Sequence, residues 1–181
     1  MALRKASAYS GRKITHYTRV GKKKSKSYIK TVPPSKIVKF KMGDAKGKEN
    51  GRYPVVLNIV TKSNVQIRDN SIEAVRQFLN RFLTEKIGKE WFLEIKIYPH
   101  NILRENKMLT GAGADRMQTG MALSFGKTIG RAAVLKRGQT IFIVSIKNNI
   151  KQEQTVRKLI NSVKSRLPCA IAILKEENLK T

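Results

Sequence analysis

Apolar residues follow the period of a β-strand in several places along the chain, because side chains alternate between the two faces of a strand. We predict that globular structure begins after Pro33 and Pro34, with a half-buried strand over residues 37–42 and a polar loop over 43–51. The remaining predicted strands cover residues 54–62, 93–98, 132–135, 141–146 and 169–174. A turn at residues 136–139 is predicted to join the strands at 132–135 and 141–146 into a hairpin.

Two other segments show the period of an amphipathic helix. Asp69 to Ser71, followed by Glu73, form an N-cap signal for a helix that ends at Gly88. Its predicted buried face consists of Ile72, Val75, Leu79, Phe82, Leu83 and Ile87. The second helix covers about residues 152–166 and is predicted to bury Val156, Leu159, Ile160 and Val163. The expected fold is therefore α+β, with one mixed sheet, two amphipathic helices and a basic N-terminal extension.

The charge of the chain changes this picture from a generic globule to a protein with a polyanionic partner. There are 38 Lys and Arg residues against 12 Asp and Glu, so the formal net charge is +26. Such charge repels itself unless phosphates neutralise it, which favours nucleic acid as the partner. No stretch approaches the ~20 apolar residues of a membrane span. A single cysteine, Cys169, excludes an internal disulfide, and the first residues lack a secretory signal, so we expect an intracellular protein.

Residues 1–33 are predicted to form a basic RNA-binding extension, and residues 34–181 a single α/β domain. The first 43 residues contain thirteen Lys and Arg residues and no acid. We expect this extension to be disordered when free and to fold onto RNA, with its aromatic rings stacking on unpaired bases. Those rings belong to Tyr9, His16, Tyr17 and Tyr28. The predicted RNA-binding residues are Arg4, Lys5, Arg12, Lys13, Arg19, Lys22, Lys23, Lys24, Lys26 and Lys30.

Between about residues 100 and 130 the periodic pattern weakens and small residues gather, which predicts a functional loop. The glycines of this segment are Gly111, Gly113, Gly120, Gly126 and Gly130. Its larger positions are often basic, as at Arg104, Lys107, Arg116, Lys127 and Arg131. Small residues allow close approach of the backbone to a polyanion, so RNA contact is favoured over an ordinary surface loop.

Residue types that support catalysis or metal binding are poorly placed. His16 and His100 are far apart, and neither has a cysteine or carboxylate at ligand spacing, so we predict no metal site. Cys169 lies in an apolar run, which is typical of a buried hydrophobic residue and not of a nucleophile. Gly126 and Lys127 resemble the end of a phosphate-binding P-loop, but the first glycine of that motif is one position too early. We therefore expect no enzyme activity, no cofactor and no small-molecule substrate.

The functional loop resembles the signature of a known family, the large-subunit ribosomal protein called L-ten-e in archaea and equivalent to bacterial L-sixteen. The resemblance is looser outside the loop but covers essentially the whole chain. Its signature residues are Pro99-His100, Ile102-Leu103-Arg104, Asn106-Lys107-Met108-Leu109, Ala112-Gly113-Ala114-Asp115-Arg116, Gln118-Thr119-Gly120-Met121 and Phe125-Gly126-Lys127.

This resemblance implies a hammerhead-like arrangement of strands and a structural role in the cytoplasmic large ribosomal subunit. The implied partners are large-subunit rRNA below the central protuberance, the 5S rRNA region, neighbouring ribosomal proteins and aminoacyl-site tRNA. The loop is expected near the peptidyl transferase centre, where the rRNA performs the chemistry. The positions carried over to that role are Arg104, Lys107, Asp115, Arg116, Gln118 and Lys127.

Some positions depart from the family pattern. Asn101 stands where an aromatic residue is usual, and Ala122 stands where an arginine is common. The loop is most similar to archaeal and eukaryotic members, and the short tail and lysine-rich extension favour archaea. Two other functions share part of the pattern: a DNA-compacting protein has similar charge, and an RNA-modifying enzyme would need a cofactor loop or an activated nucleophile that we do not find.

Overall fold

The computed structural model describes residues 5–11, 29, 31–105 and 127–177. Within these ranges the helices are α1 (Ser7–Ser10), α2 (Ala45–Glu49), α3 (Asp69–Ile87) and α4 (Ile150–Val163), and a short 3-10 helix (Lys164–Arg166) follows α4. The strands are β1 (Lys41–Gly43), β2 (Val55–Thr61), β3 (Val65–Arg68), β4 (Trp91–Ile95), β5 (Asn101–Glu105), β6 (Lys127–Leu135), β7 (Thr140–Ile146) and β8 (Ile171–Glu177). The α+β class is thus confirmed.

The strands form two antiparallel sheets, so the prediction of one mixed sheet is wrong. The larger sheet has the order β1-β4-β7-β2-β8, and the smaller has the order β3-β6-β5. The predicted hairpin between residues 132–135 and 141–146 is also wrong, because β6 and β7 belong to different sheets. Their connection is held by the end of β2: the Thr61 hydroxyl donates to the carbonyl of Lys136 at 2.9 Å. The Gly138 N–H donates to the Thr61 carbonyl at 2.9 Å.

One hydrophobic core joins the two sheets to the two longer helices. It contains Leu57 and Leu93 of the larger sheet together with Ile67 and Leu135 of the smaller one. Helix α4 contributes all of its predicted face, namely Val156, Leu159, Ile160 and Val163. On α3 the buried apolar residues are Ile72, Val75, Leu79 and Leu83. Phe82 and Ile87 are only half-buried at the margin of this core, which corrects their predicted burial.

Only the end of the strand predicted over residues 37–42 forms, since β1 begins at Lys41 and the backbone just before it bonds to carboxylates of α3. The N–H of Lys36 donates to Asp69 Oδ2 at 3.2 Å, and the N–H of Val38 donates to Glu73 Oε2 at 3.4 Å. Val38 is 71% exposed, whereas Ile37 is buried. Asp69 and Glu73, which belong to the predicted N-cap signal of α3, therefore bind the backbone of residues 36–38. Arg68, the residue before the helix, makes no side-chain cap.

The predicted polar loop over residues 43–51 contains a helix, α2. Asp44 caps this helix by accepting the Gly47 N–H at 2.8 Å, and it also accepts the Tyr53 hydroxyl at 3.0 Å. The hydrogen bond from Gly47 is the main reason that the pKa of Asp44 is lowered. Burial, supported by the bond to Asp44, raises the pKa of Tyr53 to about 12. A side chain at Gly47 would collide with the Asp44 carboxylate, so the glycine permits this tight cap.

Candidate nucleic-acid interface

Strands β5 and β6 form the base of the predicted functional loop. They are antiparallel neighbours in which Leu103 is paired with Gly130 and Arg104 with Thr128, and the register shifts between Leu103 and Arg104. Residues 106–126 connect the two strands. Arg104 is half-buried, and Lys127, which pairs with Glu105, is exposed. The structure therefore brings Arg104 and Lys127 onto adjacent strands at the base of this connection.

The other loop residues predicted from the sequence lie outside the described residues. They are Lys107, Asp115, Arg116 and Gln118. The described flanks of the loop are more regular than the sequence indicated, since β5 covers residues 101–105 and β6 begins at residue 127, five residues before its predicted start. Polar and small residues at these positions interrupt the alternation of apolar and polar residues by which a strand is recognised in a sequence.

Arg131 makes contacts within the protein. Its Nε donates to the carbonyl of Pro33 at 2.6 Å, and its Nη1 donates to the hydroxyl of Tyr98 at 3.1 Å. Arg131 thus connects the end of the basic extension to β6. These hydrogen bonds within the protein differ from the RNA contact that we predicted for the basic residues of this segment. Neither bond was predictable from sequence spacing, because Arg131 and Pro33 are 98 positions apart.

The first part of the basic extension contacts the smaller sheet. The side chain of Gln66 donates to the backbone carbonyl of Tyr9 at 2.8 Å, and it accepts a hydrogen bond from the side chain of Asn101. The guanidinium of Arg68 lies 5.2 Å from the centre of the Tyr9 ring. The expectation of disorder is therefore wrong for residues 5–11, and the Tyr9 ring is engaged by Arg68. Of the ten predicted RNA-binding residues, Lys5 is described and exposed, and the other nine lie outside the described ranges.

Several acids in the described ranges are neutralised by ion pairs within the protein. The Arg76 guanidinium bonds to Glu73, and this bond lowers the pKa of Glu73 although burial opposes it. Burial also raises the pKa of Glu94, but Lys96 at 3.1 Å and Lys48 at 3.4 Å outweigh it, and the net shift is downward. Even if every acid of the chain were paired in this way, a net charge of +26 would remain for phosphates to neutralise.

No group of three or more His, Cys, Asp and Glu side chains suited to a metal occurs in the described ranges. Cys169 is half-buried just before β8, and burial raises the pKa of its thiol. None of the described helices combines the length with the apolar character needed to span a membrane.

Comparison with known proteins gives full-length matches. The family described as Ribosomal protein L16p/L10e matches residues 13–174 of this chain. The chain is 37% identical over 182 residues to the large ribosomal subunit protein uL16 of the archaeon Methanococcus maripaludis, covering 99% of this chain and 98% of the relative. It is 39% identical over 178 residues to the uL16 protein of Thermofilum pendens, covering 98% and 99%. The similarity therefore includes the basic extension, both sheets and the loop.

Proposed function

Because this chain belongs to the L16p/L10e family of ribosomal proteins, which are structural components and not enzymes, we propose that it is a constituent of the cytoplasmic large ribosomal subunit. In this proposal it binds large-subunit rRNA near the central protuberance, next to 5S rRNA and neighbouring ribosomal proteins. It also helps to position aminoacyl-site tRNA near the peptidyl transferase centre. The family match over residues 13–174 is the observation that carries the proposal.

The charge distribution supports two separate roles, attachment to rRNA by the extension and positioning of tRNA by the loop. Ten Lys and Arg residues lie within the first 30 positions, where no acid occurs. Each cation that neutralises a phosphate releases a counterion, so such an extension supplies much of the binding free energy at moderate salt. We propose that residues 1–33 provide this attachment.

The strand pair β5–β6 supports the second role. A loop that must position a large ligand needs a rigid base, and the 106–126 connection begins and ends on two strands paired along five residues. Leu103 of β5 is buried, as are Ala132 and Ala133 of β6, so the base is anchored in the protein. The rRNA performs the chemistry, and the loop residues Arg104, Lys107, Asp115, Arg116, Gln118 and Lys127 orient the tRNA substrate.

Sedimentation of the tagged protein with ribosomes tests the assignment. We expect the protein to co-sediment with large subunits and not with small subunits, at low salt and also at salt high enough to remove loosely bound cationic proteins. A basic protein that binds any polyanion is a useful control, since it should be distributed over both subunits and dissociate at high salt. The same distribution for this chain would contradict the proposal and favour nonspecific nucleic-acid binding.

A further inference from the structure

Three aromatic rings form a continuous row where the two sheets meet. The rings of Phe40 and Tyr98 are stacked, with centroids 5.6 Å apart and an angle of 20° between their planes. The ring of His100 continues the row, 4.6 Å from that of Tyr98 and tilted by 50°. Phe40 precedes β1, while Tyr98 and His100 lie in the short segment between β4 and β5.

The row begins on the core and ends in solvent. Phe40 is partly buried and packs against the core, whereas Tyr98 is 43% exposed and His100 is exposed. Aromatic rings that only fill a core are covered on all sides, whereas Tyr98 and His100 at the outer end of this row are exposed. The two outer rings are nevertheless held in place. The His100 N–H donates to the Tyr98 carbonyl at 3.0 Å, and Pro99 between them is buried.

One cation contacts the row, and two more flank it in the sequence. The Arg131 guanidinium donates to the Tyr98 hydroxyl at 3.1 Å. Lys39 and Lys41 flank Phe40 in the sequence, and both are exposed. Glu94, the acid on the neighbouring strand, is occupied by its lysine partners. A fixed, partly exposed aromatic row among cations is complementary to a nucleotide, because the rings stack on the base while the cations attract the phosphates.

We propose that Phe40, Tyr98 and His100 form a stacking platform for an unpaired nucleobase of RNA, with His100 as the outermost ring. The proposal rests on the RNA-binding function proposed above and specifies the chemical group that this surface recognises. Its position suits that role, since Arg131 links Tyr98 to the end of the basic extension at Pro33 and His100 immediately precedes β5.

The test compares two fluorescent single-stranded RNA probes with the full-length protein. One is an oligoadenylate of roughly ten nucleotides, a length within the usual range for single-strand sites. The other has the same length and phosphates but an abasic site at every position. Phosphate contacts are common to both probes, so the ratio of the two affinities measures the contribution of the bases, and the ring variants show how much of it is stacking at the platform.

We expect His100→Ala to lower the preference for the base-bearing probe by roughly 5- to 100-fold, the range for removal of one stacked ring. His100→Phe should retain the preference because it keeps a ring. Lys39→Ala should weaken both probes equally. His100 is exposed, and matching melting temperatures for the variants would exclude unfolding as the cause of weaker binding.

Equal binding of the two probes by the wild-type protein, or a preference for the base-bearing probe that is unchanged in His100→Ala, would overturn the platform. The RNA-binding function would then still stand, since phosphate binding would be intact. Failure of the wild-type protein to bind either probe would instead count against the RNA-binding function itself. Zero-length cross-linking of a 4-thiouridine probe provides an independent check, with adducts expected at Tyr98 or His100 and a platform excluded if adducts form only elsewhere.

Discussion

Asp69 and Glu73 lie one helical turn apart on α3, and each accepts a backbone N–H from the segment that follows the basic extension. Lys36 donates to Asp69 at 3.2 Å and Val38 donates to Glu73 at 3.4 Å. Together with the bond from Arg131 to Pro33, these contacts attach residues 33–38 to the start of α3 and to β6. The point at which the extension leaves the globular part is thereby fixed.

The first prediction concerns the contribution of Glu73 to stability. Its bond from Arg76 lowers its pKa in the folded protein, and both side chains are about nine-tenths buried. Glu73→Gln should lower the free energy of unfolding at neutral pH by about 1–3 kcal/mol, because it weakens a charged hydrogen-bond network. Urea unfolding measures this decrease, and Glu85→Gln, at an exposed site on the same helix, is the matched control.

The same variant gives a pH dependence of known sign. A carboxylate with a lowered pKa stabilises the fold above its unfolded value of about 4.3, and this stabilisation is lost as the pH falls through the lower folded value. The difference between wild type and Glu73→Gln should therefore shrink below about pH 4. A difference that is constant from neutral to acidic pH would mean that the ion pair does not contribute.

The second prediction separates two neighbouring residues of α3. Leu83 is fully buried, whereas Phe82 is half-buried against Phe78, with ring centroids 4.5 Å apart. Leu83→Ala should cost about 2–5 kcal/mol by opening a cavity. Phe82→Ala should cost less despite removing the larger side chain, because its solvent-facing part leaves no cavity. Denaturant unfolding of the two variants checks the order, and the reverse order would show that the face of α3 is assigned incorrectly.

The sequence was informative where a local pattern determines the structure. The buried faces of α3 and α4 follow from a helical period, so Leu79 and Ile160 were predictable. The separation of β6 and β7 into two sheets was not, because the turn around Gly138 is held by Thr61, far away in the sequence. In the predicted loop, basic charge among small residues indicated Arg104 and Lys127. Tyr98 gave no local signal, because its ring stacks on that of Phe40, 58 positions earlier.

The third prediction concerns the link between the extension and β5. Asn101 of β5 donates to the side chain of Gln66, which in turn donates to the Tyr9 carbonyl. Gln66→Ala should release residues 5–11 from the smaller sheet, and amide hydrogen exchange in that segment should become faster. Exchange in the core of α3 should remain unchanged. Unaltered exchange at residues 5–11 would show that Gln66 does not hold the segment.

The fourth prediction concerns the basic extension. Replacing Lys22, Lys23, Lys24 and Lys26 with Gln removes its densest charge cluster. The slope of log affinity for rRNA against log salt should become shallower, by about 0.7–0.9 for each phosphate that the extension no longer neutralises. The melting temperature should change little. A control with four exposed α3 and α4 residues replaced by Gln (Arg81, Lys86, Lys151 and Lys158) has the same charge. An equal slope for the cluster variant and the wild type would remove this part of the extension from the interface.

If the protein attaches through its extension and acts through its loop, Arg116→Ala should separate the two roles. Because many other cations bind phosphate, removing this one should still allow incorporation into large subunits. Wild-type and Arg116→Ala ribosomes, matched for their content of this protein, are compared in a single-turnover assay of aminoacyl-tRNA accommodation, with Lys158→Ala as the control. We predict slower accommodation for Arg116→Ala and the wild-type rate for the control. Equal rates for Arg116→Ala and wild-type ribosomes would contradict the role of the loop at Arg116.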